Sequence, residues 1–308
     1  VHGSRGLGDV YKRQEEALVD ANLSSVKTKN SSLTGSLGYV TRLKNNWQIN
    51  ANFSSGFRSP NIDDMGKIRE NRGILSVPNK KLKPEYAYSS ELGVSKFFNN
   101  KSNVFSVNIY YTHITNHILR DYFEILNDNS TLDSKTILYN LEEVKTMANI
   151  NSGRAYIYGF SFDSELVIFK NIFIKSNITY TEGGSVKNPN PLPSISPLFG
   201  SFYLKLVNSN IKMQLSYRFS GSKSPEDYSL GGEDGLEETP LLGYNDKVPQ
   251  YYGMPSWGVF KLSSSYKLSP NLKATLILDN LFDIHYREFA SGISSPGRNL
   301  NLVLEHKF

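Results

Sequence analysis

The side chains best able to recognise a ligand in this sequence are arginines and tyrosines. Arg58, Arg69, Arg72 and Arg120, with Tyr122, Phe123, Tyr228, Tyr244, Tyr251 and Tyr252, fall in stretches broken by Gly, Asn, Ser and Pro. Guanidinium forks and aromatic faces hold a planar or anionic ligand by charge-assisted hydrogen bonds and stacking. Such a set binds reversibly and breaks no bond. Each of these residues could equally pack the ends of strands, so the expectation attaches to the group. No nucleophile and base fall at a spacing that suggests covalent catalysis, and no enzymatic role is expected. The chain has no cysteine, which removes disulfides and thiolate metal sites. Its histidines are His2, His113, His117, His285 and His306. On a strand, His113 and His117 would share a face about 13 Å apart, too far to hold one metal ion. Residues 231–238 read GGEDGLEE, whose carboxylates could in principle hold calcium. The spacing is not that of an EF-hand, and a solvated acidic loop is expected. Neither a cofactor nor a metal site is expected.

These residues need a scaffold, and composition bounds it. Of 308 residues 39% are apolar, and no run approaches the roughly 20 apolar residues of a membrane helix. Tyrosine (19) and phenylalanine (17) are abundant, which suits strands. The net charge of +5 comes from dispersed basic residues, so no nucleic-acid partner is expected. Residues 1–14, VHGSRGLGDVYKRQ, fit no strand pattern and resemble a cloning or sequencing scar. The fold argument therefore starts at residue 15, and a signal peptide and true N-terminus are expected upstream.

Alternation identifies the strands. Ile211, Met213, Leu215, Tyr217 and Phe219 share one face, and Lys212, Gln214, Ser216, Arg218 and Ser220 the other. Trp47 to Ser54, Phe105 to Thr112, Phe202 to Leu206 and Phe260 to Lys267 repeat the pattern. About eleven such strands are expected, most of roughly 10 residues or more, as a tilted membrane-spanning strand requires. Their connections alternate in length. Short turns are expected at 44–46, 98–101, 170–171, 208–210 and 269–271. Long connections are expected at about 58–84, 115–154, 182–197, 223–255 and 281–296. In an antiparallel meander every second connection lies at the same end, so all long loops fall on one side. Outer-membrane barrels have this asymmetry. The expected fold is therefore all-β, a transmembrane antiparallel β-barrel. A soluble β-sandwich would share the alternation but bury the apolar face.

Several segments resemble TonB-dependent outer-membrane receptors. Phe57-Arg58-Ser59-Pro60-Asn61 is similar to that family's Phe-Arg-Ala-Pro box. Leu82-Lys83-Pro84-Glu85, followed by Glu91-Leu92-Gly93, resembles its Leu-Lys-Pro-Glu segment. Tyr158-Gly159-Phe160 resembles the start of a mid-barrel strand, and Asn280-Leu281-Phe282-Asp283, Tyr286, Pro296-Gly297-Arg298 and Phe308 resemble the closing signature.

The resemblance implies that residues 15–308 are the C-terminal part of a barrel of about 22 strands. The plug domain and the TonB-contacting segment would lie upstream. It implies an outer membrane of a Gram-negative bacterium, surrounded by lipid, and active uptake of a scarce nutrient. An iron chelate, siderophore or haem, is the expected cargo, with cobalamin behind it. The family's haem receptors often carry a histidine after the first box, and residues 61–78 have none, which lowers haem. Partners implied are the TonB complex, through the upstream part, and the barrel-assembly machinery. The latter would read Leu300, Leu302, Leu304 and Phe308 on the last strand. With two open edges, the isolated chain is expected not to insert. Two alternatives remain: a passive porin with a folded-in loop, and a secreted β-sandwich adhesin or carbohydrate-binding module.

Overall fold

The computed structural model describes residues 29–308 apart from 67, 72, 99–101, 125–134, 140–141, 187–190, 230–231, 233 and 247. Residues 1–14 and Arg72 lie outside the described residues. Eleven strands form one antiparallel sheet, each paired with its neighbours in sequence. They are β1 Ser36–Leu43, β2 Trp47–Arg58, β3 Glu85–Phe98, β4 Asn103–Thr115, β5 Arg154–Phe169 and β6 Ile172–Ser185. The sheet continues with β7 Phe199–Val207, β8 Ile211–Ser220, β9 Trp257–Ser269, β10 Leu272–Asp279 and β11 Asn299–His306. No described helix is long and apolar enough to cross a membrane.

One end of the sheet carries tight turns. Lys44–Asn46 closes β1 on β2, with Asn45 and Asn46 at φ 60° and 59°. Asparagine tolerates this left-handed backbone, which matches the twist of a hairpin. Pairing runs from Val167 to Phe173 and from Val207 to Lys212, leaving short connections there too. The other end carries the long connections 59–84, 116–153, 186–198, 221–256 and 280–298.

The two faces of the sheet differ as the alternation requires. In register, Leu92, Ile109, Phe160 and Tyr180 lie side by side across β3 to β6. Phe105, Val107, Ile109 and Tyr111 are 39–50% exposed, and Leu300, Leu302 and Leu304 63–66%. The opposite face carries paired polar groups. Ser95 meets Ser106 at 2.9 Å, Ser201 meets Asn177 at 2.7 Å, and Thr112 meets Ser89 at 3.0 Å. Ion pairs Glu165–Lys175, Lys261–Asp279 and Lys273–Glu305 lie on that same face. Gly159 opposes Tyr110 there, and Tyr110 lies over it, its hydroxyl reaching Thr181 Oγ1.

The buried apolar core lies in the long loops instead. Leu75, Val77, Ile137, Val144 and Ala148 form one cluster, and Met65, Leu82 and Ile118 another. A sandwich would bury the apolar strand face in this way; here that face is left open, as lipid contact requires. The stripe Leu300, Leu302, Leu304 and the terminal Phe308 are all exposed.

Candidate functional site

The long loops build two assemblies at one rim. The first joins 59–84 to 116–153 in a small sheet of Arg69–Asn71, Ile74–Ser76, Glu142–Asn151 and Ile118–Tyr122, with Thr136–Tyr139 also paired to Glu142–Asn151. Its fastening to the barrel is polar. Arg58 donates to Asp64 at 2.7 Å, and Asn149 reaches the same oxygen at 3.1 Å. Asn151 accepts from the Lys83 amide at 2.7 Å and donates to the Asn116 carbonyl at 2.7 Å. Glu85 accepts the Ile118 amide at 2.8 Å.

His117 is buried beneath this cap. Asn116, at φ 52°, breaks the strand, so His113 and His117 do not continue one alternating row. Burial pushes the His117 pKa down; the Glu85 carboxylate opposes this and the Arg58 guanidinium adds to it. His113 stays on the outward face, paired in register with Tyr88 and Tyr156.

The second assembly gathers the last three loops around Lys223. Its ammonium donates to the Ile195 carbonyl at 2.5 Å and stands 3.6 Å from the Asp234 carboxylate, within ion-pair range but beyond a hydrogen bond. The rings of Phe289 and Tyr228 lie 4.6 and 5.2 Å from it. Asp234 also accepts the Ser194 amide at 2.7 Å. Lys223 and Asp234 are both below a tenth exposed. Burial lowers the Lys223 pKa, and the Asp234 charge partly offsets it. Burial, then the Asp234 charge, pushes the Tyr228 phenol up to about 12. The segment 231–238, expected as a solvated loop, thus buries one carboxylate, because Lys223 reaches it from eleven positions away. Among the described residues no group of three or more His, Cys, Asp or Glu could hold a metal ion.

Beside this junction lies a cavity of about 310 Å³, walled by Tyr228, Glu238, Trp257, His285, Tyr286 and Arg287 among others. Trp257 and Tyr286 pack at 4.5 Å, and Arg287 donates to the Glu238 carbonyl. Trp257 is paired in register with Ser220, on the polar face, so this wall belongs to the interior. Arg218, also on that face, ties in the last loop through Glu288 at 2.8 Å.

The structure therefore divides the expected group of ligand residues. Arg58 is committed to Asp64, and Arg120 reaches Ser76 at 2.5 Å within the cap. Tyr122 lies under Lys145 at 5.5 Å in the same cap, while Arg69 is on its short first strand. Tyr244 and Tyr251 belong to a hairpin, Leu241–Asn245 with Val248–Tyr251; Tyr244 and the following Tyr252 are strongly exposed. Of the group, Tyr228 alone lines the cavity. Trp257, Tyr286 and Arg287 were not singled out by the sequence. The parity of β9 could have found Trp257, an aromatic on the odd, inward-facing row.

Three relatives bear on this geometry. A probable haemoglobin and haemoglobin-haptoglobin-binding protein 4 from Haemophilus influenzae is 24% identical over 167 residues, 53% of this chain and 16% of that protein. The ferric enterobactin receptor PfeA of Pseudomonas aeruginosa (a G324V mutant) superposes with a TM-score of 0.66 at 17% identity, over 89% of this chain and 40% of its own. The siderophore receptor PirA from Acinetobacter baumannii gives 0.65 at 18% identity, over 89% and 41%. The chain thus spans about two fifths of the solved structures it matches. At these identities the likeness speaks for the fold. The family model of the TonB dependent receptor-like β-barrel matches residues 8–281, a family of outer-membrane transporters rather than enzymes. With its apolar face outward and its polar face inward, the chain belongs to the TonB-dependent receptor-like β-barrel family.

Proposed function

We propose that this chain is the ligand-gathering, C-terminal part of a receptor that takes up an iron chelate across the outer membrane. The observation that carries the reading is the rim cavity of about 310 Å³, aromatic on one wall and bearing Arg287 on another. That volume lies at the lower end for small-molecule sites. It suits a compact anionic chelate held by stacking and charge. Energy would come from the TonB complex through segments upstream of this chain, and the last strand would present Phe308 to the barrel-assembly machinery. The loop 186–198 folds onto Ile114 and Ala155 through Leu192, the inward fold a porin would use. Membership of the receptor family weighs against that alternative and against an adhesin.

The test is uptake of radiolabelled ferric catecholate and ferric hydroxamate by cells whose only receptor is the whole gene product. Accumulation of one should stop when a protonophore collapses the energised inner membrane. Accumulation that persists would mean passive passage and end the proposal. Trp257→Ala and Tyr286→Ala should each weaken uptake about tenfold at limiting chelate, the loss of one good ring contact. Tyr244→Ser should leave it unchanged.

A haem source is a second reading, favoured by the Haemophilus relative's name and by His285 in the cavity wall. Haemin should then give a shifted Soret band that His285→Ala abolishes.

A further inference from the structure

The outward face of β5 and β6 carries a carboxylate that neither the barrel's pairing nor cargo capture requires. Glu182 pairs in register with Tyr158, which pairs with Tyr111 of the apolar row. It therefore projects toward the membrane. Its height can be worked out. Ten residues separate it from Ile172 at the tight-turn end; at about 3.3 Å each and a tilt of about 40°, that is about 25 Å. The apolar band of an outer-membrane barrel is about as tall. Glu182 thus stands where lipid tails give way to headgroups.

The carboxylate is held, not merely exposed. Tyr158 and Tyr180 both donate their hydroxyls to Oε2, at 2.9 and 2.5 Å. Among the described residues nothing donates to Oε1. Tyr156 stacks on Tyr158 at 6.2 Å and 19°, extending the aromatic face. A groove of about 570 Å³ opens there, lined by Tyr156, Tyr180, Glu182, Gly184, Pro197 and Asp227 among others. Lys223 also lines it, but its ammonium is taken up by Asp234 and Ile195.

Two carboxylates and no available cation make this groove hostile to phosphate. Aromatic faces beside a fixed acceptor suit a ring that is apolar on one side and hydroxylated at its edge: C–H bonds meet the negative π face, and hydroxyls donate to carboxylate oxygen. We infer that the groove of Glu182, Tyr156, Tyr158 and Tyr180 binds a pyranose of a glycolipid headgroup in the outer leaflet.

The test uses the full-length receptor in phosphatidylethanolamine nanodiscs with and without rough lipopolysaccharide, with retained glycolipid read by native mass spectrometry. Glu182→Leu should retain about tenfold less than wild type, and so should Tyr158→Phe with Tyr180→Phe, which cannot misplace a ring. Equal retention by the tyrosine variant and wild type overturns the inference, whether or not the Leu variant assembles. Retention abolished by EDTA in wild type also overturns it, since a bridging cation would then make the contact. Displacement by millimolar methyl glucoside would move the site from membrane lipid to free sugar and overturn it as stated.

Discussion

Lys223→Met removes the ammonium at the junction of three loops while keeping most of the side chain's volume. Both partners of the pair are below a tenth exposed, so solvent screening gives little relief. Asp234 would then stay buried with only the Ser194 amide to stabilise its charge. Removing one member of a buried pair costs about 3–5 kcal/mol. Two cation–ring contacts go as well, although methionine still packs against both rings. At 1.4 kcal/mol per power of ten, the opening equilibrium of the junction should rise by about two to three powers of ten. Hydrogen exchange in the full-length receptor reads this directly. The amides of Lys223 and Met254 donate to each other's carbonyls at 2.9 Å, and the Ser194 amide donates to Asp234. These three should lose protection together, while amides of the 116–153 cap keep theirs. The double variant Lys223→Met, Asp234→Leu should recover most of the loss, because no buried charge remains. Unchanged exchange in the single variant, or a double variant as loose as the sum of the singles, would refute the reasoning.

The same junction titrates. The Tyr228 phenol is raised to about 12, so its contribution is complete below pH 10 and is lost as pH rises from 10 through 12; phenolate absorbance and exchange of the Tyr228 amide should change together. The His117 pKa is lowered, so the folded cap takes up its proton less readily than the open one. Cap stability should be full above pH 6.5 and fall below it, seen as faster exchange at Ile118 and Ser152; flat exchange from pH 7.5 to 5 would contradict this. Asn280 holds the last loop through Ile284 N–H and the Ile284 and Pro296 carbonyls, at φ 49°. Asn280→Ala should cost that loop about 2–3 kcal/mol and speed tryptic cleavage at Arg287 and Arg298; an unaltered digestion rate would show the loop is held elsewhere.

The barrel was legible because its signal is periodic. β8, with five apolar and five polar residues in strict alternation, lies where its sequence put it. The long connections were legible as the intervals where alternation fails. Inside them the same reasoning had nothing to grip. Arg69–Asn71 and Ile74–Ser76 are three residues each, too short to show any period. Their pairing depends on Glu142–Asn151, about 70 positions away, and long-range partners leave no local trace. Arg58 looked available because a sequence displays a cation without displaying Asp64 folding back onto it. The clustered carboxylates at 231–238 read as wet for the same reason. Aromatic and basic composition thus indicated that the loops recognise something, and tertiary pairing decided which members remain available.

Tyr110 and Gly159 set how wide the passage can be. With no side chain at Gly159, the phenol ring lies flat along the wall, and its hydroxyl is tied to Thr181 on the next strand. A β-carbon at that glycine would fall 2.7 Å from the ring, so any larger residue must tip the phenol toward the barrel axis. The bore at this level is therefore set by what one residue lacks, and a methyl group there would act as a constriction on everything that travels past it.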